Sequence, residues 1–158
     1  MNRKKTVGDV MTRDVFAVAP DTSLDAAAEL LTRHHITGAP VVDHNGVVVG
    51  VVTLTDLLDP SHKTSEREGH NAFYMITDGW ASNVDDDIEY ASGRVEDVMS
   101  EGAITTTTDL EVTAAARILL RHSIHRVVVV DRDGHLVGIA SSMDLLRGFV
   151  EIEDDAVS

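Results

Sequence analysis

The stretch from Val7 to Leu58 recurs without a gap as Val95 to Leu146, an offset of 88 residues at which 21 of 52 aligned positions are identical. Identity of that order over an ungapped span reflects a duplicated folding unit, so whatever the chain folds into must be built twice. Asp9-Val10-Met11 lies over Asp97-Val98-Met99, Ala26-Ala27-Ala28 over Ala114-Ala115-Ala116, and Val41-Val42-Asp43 over Val129-Val130-Asp131. Gly46 and Gly50 meet Gly134 and Gly138, and the end Thr53-Leu54-Thr55-Asp56-Leu57-Leu58 meets Ser141-Ser142-Met143-Asp144-Leu145-Leu146. Two copies are too few for a solenoid, whose units stack in one dimension, and predict two halves that close on each other.

With 158 residues the chain can bury one good core, or two small ones that share an interface. Its longest apolar runs, Val47 to Val52 and Val127 to Val130, fall far short of the ~20 residues a membrane helix needs. No charged-then-apolar leader opens it, and a soluble, cytoplasmic chain is expected, with no membrane partner. The lack of cysteine excludes a disulfide framework and any thiolate zinc site. A formal charge of −14, from 27 acidic against 13 basic residues, leaves no basic patch to neutralise phosphate backbones, which excludes nucleic acid as a partner. The acidic runs Asp85-Asp86-Asp87 and Glu151 to Asp155 read as solvated surface or, alternatively, as an acidic docking surface.

Each repeat reads as one series of elements. A helical turn around Val7 to Met11 leads to a strand at Val15 to Val18, and Pro20-Asp21-Thr22 supplies a turn and an N-cap. The next helix carries Leu24, Ala27, Ala28 and Leu31 on one face; in the copy Val112, Ala115, Ala116 and Leu119 take those places behind Asp109 as the cap. Two β-branched runs follow, Pro40 to Val42 and Val47 to Val52, joined at Asn45-Gly46, with Asp133-Gly134 at the matching turn; both pairs suit a two-residue hairpin turn. A last helix begins near Thr55 or Met143. The predicted fold class is α/β (α+β): two β-α-β-β-α repeats packed sheet to sheet as a pseudo-symmetric pair. The expected division is 1–59 for the first repeat, 60–94 for an insert, 95–150 for the second repeat and 151–158 for an acidic tail. The insert holds Phe73, Tyr74, Trp80 and Tyr90 after a polar start. Its first third is expected to be mobile and Asn71 to Tyr90 packed, either locally or against a partner.

The sharpest local signal is Gly50-Val51-Val52-Thr53-Leu54-Thr55-Asp56 and its copy Gly138-Ile139-Ala140-Ser141-Ser142-Met143-Asp144. A hydroxyl three residues before an acid at a strand-to-helix junction is a capping box, with the carboxylate on backbone amides. The same junction can hold an anion on free helix amides, with the Asp gripping ribose hydroxyls. Both readings remain open from the residues alone.

At these residues the repeat resembles a CBS domain, the module named after cystathionine β-synthase, and the pair resembles a Bateman module. The resemblance rests on Asp9 to Thr12 and Asp97 to Ser100, on Pro40 to Asp43, on the two glycine positions and on the hydroxyl-x-x-Asp ending, in the same order twice. It implies a regulatory module that takes adenosine-type ligands such as AMP, ADP, ATP, NAD or S-adenosylmethionine in clefts between paired domains. The net charge of −14 works against the more anionic of these unless a cation such as magnesium accompanies them. By position, Asp56 and Asp144 would bind ribose hydroxyls, and Thr53 and Ser141 would meet phosphate or ribose. Backbone and side chains near Ala39, Pro40 and Val41, and near Val127, Val128 and Val129, would line the adenine slot. His125 and Arg126 resemble the basic pair that meets phosphate in AMP-binding members. Repeat 1 has Thr37-Gly38 there, which implies two inequivalent clefts, one of them weak or empty.

His34, His35 and His122 could be imagined as metal ligands of a small hydrolase, but His34 and His122 are more simply helix-end residues favoured by the dipole. No nucleophile-and-base constellation is visible, and Ser141-Ser142 lacks a Gly-x-Ser-x-Gly elbow. The expected function is therefore a non-enzymatic sensor that passes ligand occupancy to an unknown effector protein in trans, with a ligand-free interaction scaffold as the alternative. The family commonly forms homodimers through its helices. Leu24, Leu31, Val112 and Leu119, together with Leu57-Leu58 and Leu145-Leu146, are the apolar surface expected to serve.

Overall fold

The computed structural model describes residues 4–58 and 92–158, so the expectations for the aromatic insert fall outside the described residues. The element order is α1 (Val7–Val10), α2 (Leu24–Arg33), β1 (Gly38–Val42), β2 (Val48–Thr53), α3 (Leu54–Leu58), α4 (Val95–Val98), β3 (Ser100–Glu101), β4 (Thr105–Thr107), α5 (Val112–His122), β5 (Arg126–Val130), β6 (Leu136–Ser141) and α6 (Ser142–Val157). Two three-stranded sheets result, as the α/β reading requires: β1-β2-β3 and β4-β5-β6.

The two compact units interleave the repeats. Phe16–Ala103 forms one; Met1–Val15 joins Ile104–Ser158 in the other. The leading segment of each repeat therefore packs with the body of its copy. Backbone hydrogen bonds repeat under the 88-residue offset with the roles exchanged. The Val7 and Gly8 amides donate to the Leu110 and Thr108 carbonyls, both at 2.8 Å, while the Val95 and Glu96 amides donate to Thr22 and Pro20, both at 2.9 Å. Thr12 bridges Ile139, and its counterpart Ser100 pairs with Val51 at the edge of the other sheet.

This exchange explains two of the repeated glycines. A β-carbon at Gly138 would lie 2.6 Å from the Thr12 carbonyl oxygen and 2.9 Å from the Met11 sulfur, and at Gly50 it would run into the Ser100 carbonyl. The Val-Met-hydroxyl motif thus lies across a bare strand backbone, which only glycine permits. Further along α6, a β-carbon on Gly148 would meet Val10 at 2.9 Å and Val112 at 3.4 Å.

In the Phe16–Ala103 unit the core comprises Val18, Leu24, Ala27, Ala28, Leu31, Ala39, Val41, Val52, Leu54, Leu57 and Val95. The apolar face expected of α2 is buried in full, and Val112, Ala115 and Leu119 are buried on α5, with Ala116 half-buried. Burial of one such Leu is worth about 1.5–3 kcal/mol, which is what selects this face.

Local details differ from the sequence reading. The N-caps are Ser23, whose hydroxyl accepts from the Ala26 amide at 3.4 Å, and Glu111, which makes no side-chain cap bond; Asp109 instead accepts from the Thr107 hydroxyl at 2.6 Å. The strand expected at Val15 to Val18 shrinks to one parallel bridge, Val18 to Val41, whereas Thr105–Thr107 forms a strand on β5. The β-branched threonines favour extension, while Ala17 and Ala19 do not, and Pro20 has no amide to continue a ladder. Both hairpin loops hold three residues: the Asp43 amide donates to the Val47 carbonyl and the Asp131 amide to the His135 carbonyl, each at 2.9 Å. Only the glycine of each loop takes positive φ, 82° at Gly46 and 85° at Gly134, as in a type I turn closed by a bulge. The acidic tail is the end of a helix, since α6 runs through Glu151 to Val157.

Candidate functional site

In each repeat the second long strand runs directly into a helix, and the hydroxyl and carboxylate meet at that junction. Thr53 ends β2 and Asp56 stands in α3; the Thr53 amide and hydroxyl donate to Asp56 Oδ2 at 2.8 and 2.9 Å. Ser141 ends β6 and is the N-cap of α6; its amide and hydroxyl donate to Asp144 Oδ2 at 2.8 and 2.9 Å, and the Asp144 amide returns a bond to the hydroxyl at 3.2 Å. The capping box is therefore present in both copies with the same geometry. It fixes each carboxylate by one oxygen and leaves the direction of the other set by the helix.

Both acids are buried, each 8% exposed, and Thr53 is buried with 1% exposed. Burial pushes the Asp56 carboxyl above its ordinary value, against the opposing pull of the Thr53 amide and hydroxyl. Asp144 Oδ1 lies 3.6 Å from the Arg147 guanidinium one turn later. The Leu54 amide donates to the Thr37 carbonyl at 2.9 Å and the Ser142 amide to that of His125 at 2.8 Å. Arg126 stands opposite Ser141 in the antiparallel register, and Gly38 stands opposite Thr53. Directly opposed residues share a face, so the sequence pair His125-Arg126 is brought to the Ser141 junction, and its counterpart Thr37-Gly38 to the Thr53 junction.

The residues expected to line the adenine slot are core residues. Ala39, Val41, Val127, Val128 and Val129 have no exposed surface, and Pro40 is buried beside them. Two features were missed by the sequence reading. The Thr106 hydroxyl is buried without a hydrogen-bond partner, a state that costs roughly 1–3 kcal/mol. Its copy is Val18, and a Thr where the duplicate holds isosteric Val was the available signal. Arg147 could have been found from its i, i+3 spacing to Asp144.

The histidines considered for a metal do not gather. His34 is the C-cap of α2 and stacks on Phe16 with ring centroids 3.6 Å apart, His35 follows at φ 54°, and His122 ends α5. Among the described residues, Asp131, Asp133 and His135 are grouped closely enough to share an ion. Asp131 is held there by the turn: Oδ1 accepts the His135 and Asp133 amides at 2.9 Å, and these bonds, the His135 amide foremost, hold its carboxyl below the ordinary range against the opposing effect of burial. Asp43 forms the same turn with Asn45 and Val47, without the extra ligands. Among the described residues no helix is long and apolar enough to cross a membrane.

Comparison with known proteins gives this geometry a family. The model of the CBS domain matches residues 7–62 and again 95–151. The chloroplastic CBS domain-containing protein CBSX2 of Arabidopsis thaliana is 34% identical over 154 residues, covering 94% of this chain and 65% of the relative. The chain thus spans about two thirds of that relative's length. The crystal structure of CBSX2 in complex with AMP superposes with a TM-score of 0.67 at 32% identity, covering 94% of this chain and 98% of that one. The CBS domain pair of MJ0100, solved with 5′-methylthioadenosine and S-adenosyl-L-methionine, shares the fold at 23% identity and a TM-score of 0.64, covering 94% and 98%. A homoserine O-acetyltransferase of Methanococcoides burtonii is 29% identical over 142 residues, 90% of this chain but 24% of the enzyme. Matched in both repeats and over nearly its whole length, the chain belongs to the CBS domain family and carries a pair of these domains.

Proposed function

We propose that the chain is a regulatory module, not an enzyme, that binds an adenosine-type ligand at its strand-to-helix junctions and passes its occupancy to a partner protein. The observation that carries this reading is the junction built twice, with a buried carboxylate fixed by one oxygen beside a hydroxyl: Thr53 with Asp56, and Ser141 with Asp144. A carboxylate so placed can accept both hydroxyls of a ribose, which a surface carboxylate exchanging with water does poorly. β1 with Ala39, Pro40 and Val41, and β5 with Val127 and Val128, form the apolar layer from which each junction emerges. Arg126 brings positive charge to the second junction alone, with the His125 imidazole next to it in the chain. The reading is further supported by CBSX2, a relative at 32% identity whose structure holds AMP.

The ligand class is AMP, ADP, ATP, NAD or S-adenosylmethionine. A net charge of −14 opposes the most anionic of these, so ATP should require magnesium to match AMP. A ligand-free scaffold is the second reading, favoured by the capping boxes, which give each hydroxyl and acid a structural purpose without any ligand.

Calorimetric titration separates the two. AMP or NAD should bind the full chain, Asp144→Ala should weaken binding at least about tenfold, and Asp56→Ala should weaken it less, because only the second junction has Arg126. Inorganic triphosphate should bind much more weakly than ATP. Triphosphate binding as tightly as ATP would mean that charge alone is read and that Asp56 and Asp144 have no role. Failure of every adenosine ligand to bind would favour the scaffold.

A further inference from the structure

We infer that Arg147 reads the phosphate of the ligand held at the Ser141 and Asp144 junction, and that the Thr53 and Asp56 junction does not distinguish phosphorylated from unphosphorylated nucleoside. The inference rests on the proposed function and assigns ligand selectivity within it. Its basis is a comparison the duplication supplies internally. The two junctions are superposable in their hydrogen bonds, at 2.8 and 2.9 Å in each, so the shared part of a ligand meets the same partners in both. What differs is charge.

At the second junction, Ser141 takes up Asp144 Oδ2 and Arg147 faces Oδ1 from 3.6 Å, beyond hydrogen-bond length. The guanidinium is 65% exposed, so this is a loose, screened pair worth ~0–1 kcal/mol. A ribose hydroxyl donating to Oδ1 displaces it at little cost. The displaced guanidinium stays tethered one helical turn away, within reach of the group on the ribose 5′ carbon. There a planar fork of N–H donors meets phosphate oxygens in charge-assisted pairs. Arg126, across the strand from Ser141, adds positive charge on the same side. In the first repeat Gly38 stands opposite Thr53, and the sequence position matching Arg147 is occupied by Asp59. A phosphate gains nothing there from these two positions.

The test compares AMP with adenosine on the full chain at fixed ionic strength, by titration calorimetry, for the wild type, Arg147→Gln and Arg147→Lys. The wild type should prefer AMP. Arg147→Gln should weaken AMP roughly tenfold while leaving adenosine within about twofold, and should flatten the salt dependence of AMP binding; Arg147→Lys should keep part of the preference. The exposure of Arg147 leaves the fold intact, which an unchanged melting temperature verifies. If the wild type binds AMP and adenosine equally, or Arg147→Gln keeps the full AMP preference, the selectivity assignment is overturned while the ligand-binding reading stands. If neither compound binds the wild type, both fall.

Discussion

The two junction acids occupy nearly identical hydrogen-bonded settings, and at Asp56 the charge proposed to bind ligand works against the stability of the fold. Asp56 is buried with its charge disfavoured, so its folded carboxyl titrates above the ordinary value of 3.8. A raised folded value means that the folded state binds the proton more tightly. The stabilisation from that proton is complete below pH 3.8 and is lost as pH rises through the folded value. Asp56→Asn keeps an oxygen to accept the Thr53 amide and hydroxyl but never carries the charge. It should therefore melt above the wild type at pH 7, with the gap closing as the pH falls below the ordinary carboxylate range. Thermal scans of both proteins from pH 3 to pH 7 check this, and a gap that widens on acidification would show that the carboxylate stabilises the fold. The same variant should bind adenosine ligands more weakly, since an amide cannot grip a diol by charge.

At the scale of elements, the repeated Val-Met-hydroxyl motif acts through exchange. Thr12 and Ile139 trade backbone hydrogen bonds at 2.8 and 2.9 Å, with the Met11 side chain over Gly138. Gly138→Ala would place a methyl group 2.6 Å from the Thr12 carbonyl, a backbone atom that cannot swing aside. The expected cost is about 1–3 kcal/mol, read as a lower urea midpoint with ligand-free protein. An unchanged midpoint would mean that the leading segment is not held by this contact. The same segment also steadies α6, whose last turns carry Glu151, Glu153, Asp154 and Asp155 against the helix dipole. Lys5 pairs with Glu151, and that hydrogen bond raises the lysine above its ordinary value.

For the molecule as a whole, burial redraws the surface on which a second copy could dock. Leu24, Leu31, Val112, Leu119, Leu57 and Leu145 are buried, so the faces expected from the sequence are spent on the core, and the Leu58 side chain falls outside the described residues. Of the exposed apolar residues of α6, Val157 lies at its last turn, and Met143, Leu146 and Val150, 63%, 54% and 57% exposed, form a stripe at i, i+3 and i+7. The homodimer expected from the sequence would have to use this stripe, where the same face on each copy would be self-complementary. Light scattering at micromolar concentration should give a dimer, and Leu146→Glu a folded monomer, because an unpaired carboxylate in the interface costs several kcal/mol. Added salt should strengthen the dimer by screening the acidic helix ends. A wild-type monomer, or a dimeric Leu146→Glu variant, would remove this interface.

The sequence by itself determined the duplication, the mixed α/β class, the apolar faces of the two long helices and the pairing of hydroxyl with acid at each junction. All of these are signals of period or short spacing, which a helix or a strand end converts directly into geometry. Asp109 and the Asn45-Gly46 turn show where even local reading slipped, by one or two residues, because several neighbouring groups can cap or close the same turn. Only the tertiary structure decided that Val7–Val10 packs with the second repeat and Val95–Val98 with the first, that Ser100–Glu101 supplies a strand to the sheet of its copy, and that Ala39, Val41, Val127 and Val128 are closed off in the interior. Two repeats of the same design offer each leading segment two similar docking places. The choice between them depends on contacts between residues far apart along the chain, which no periodicity records.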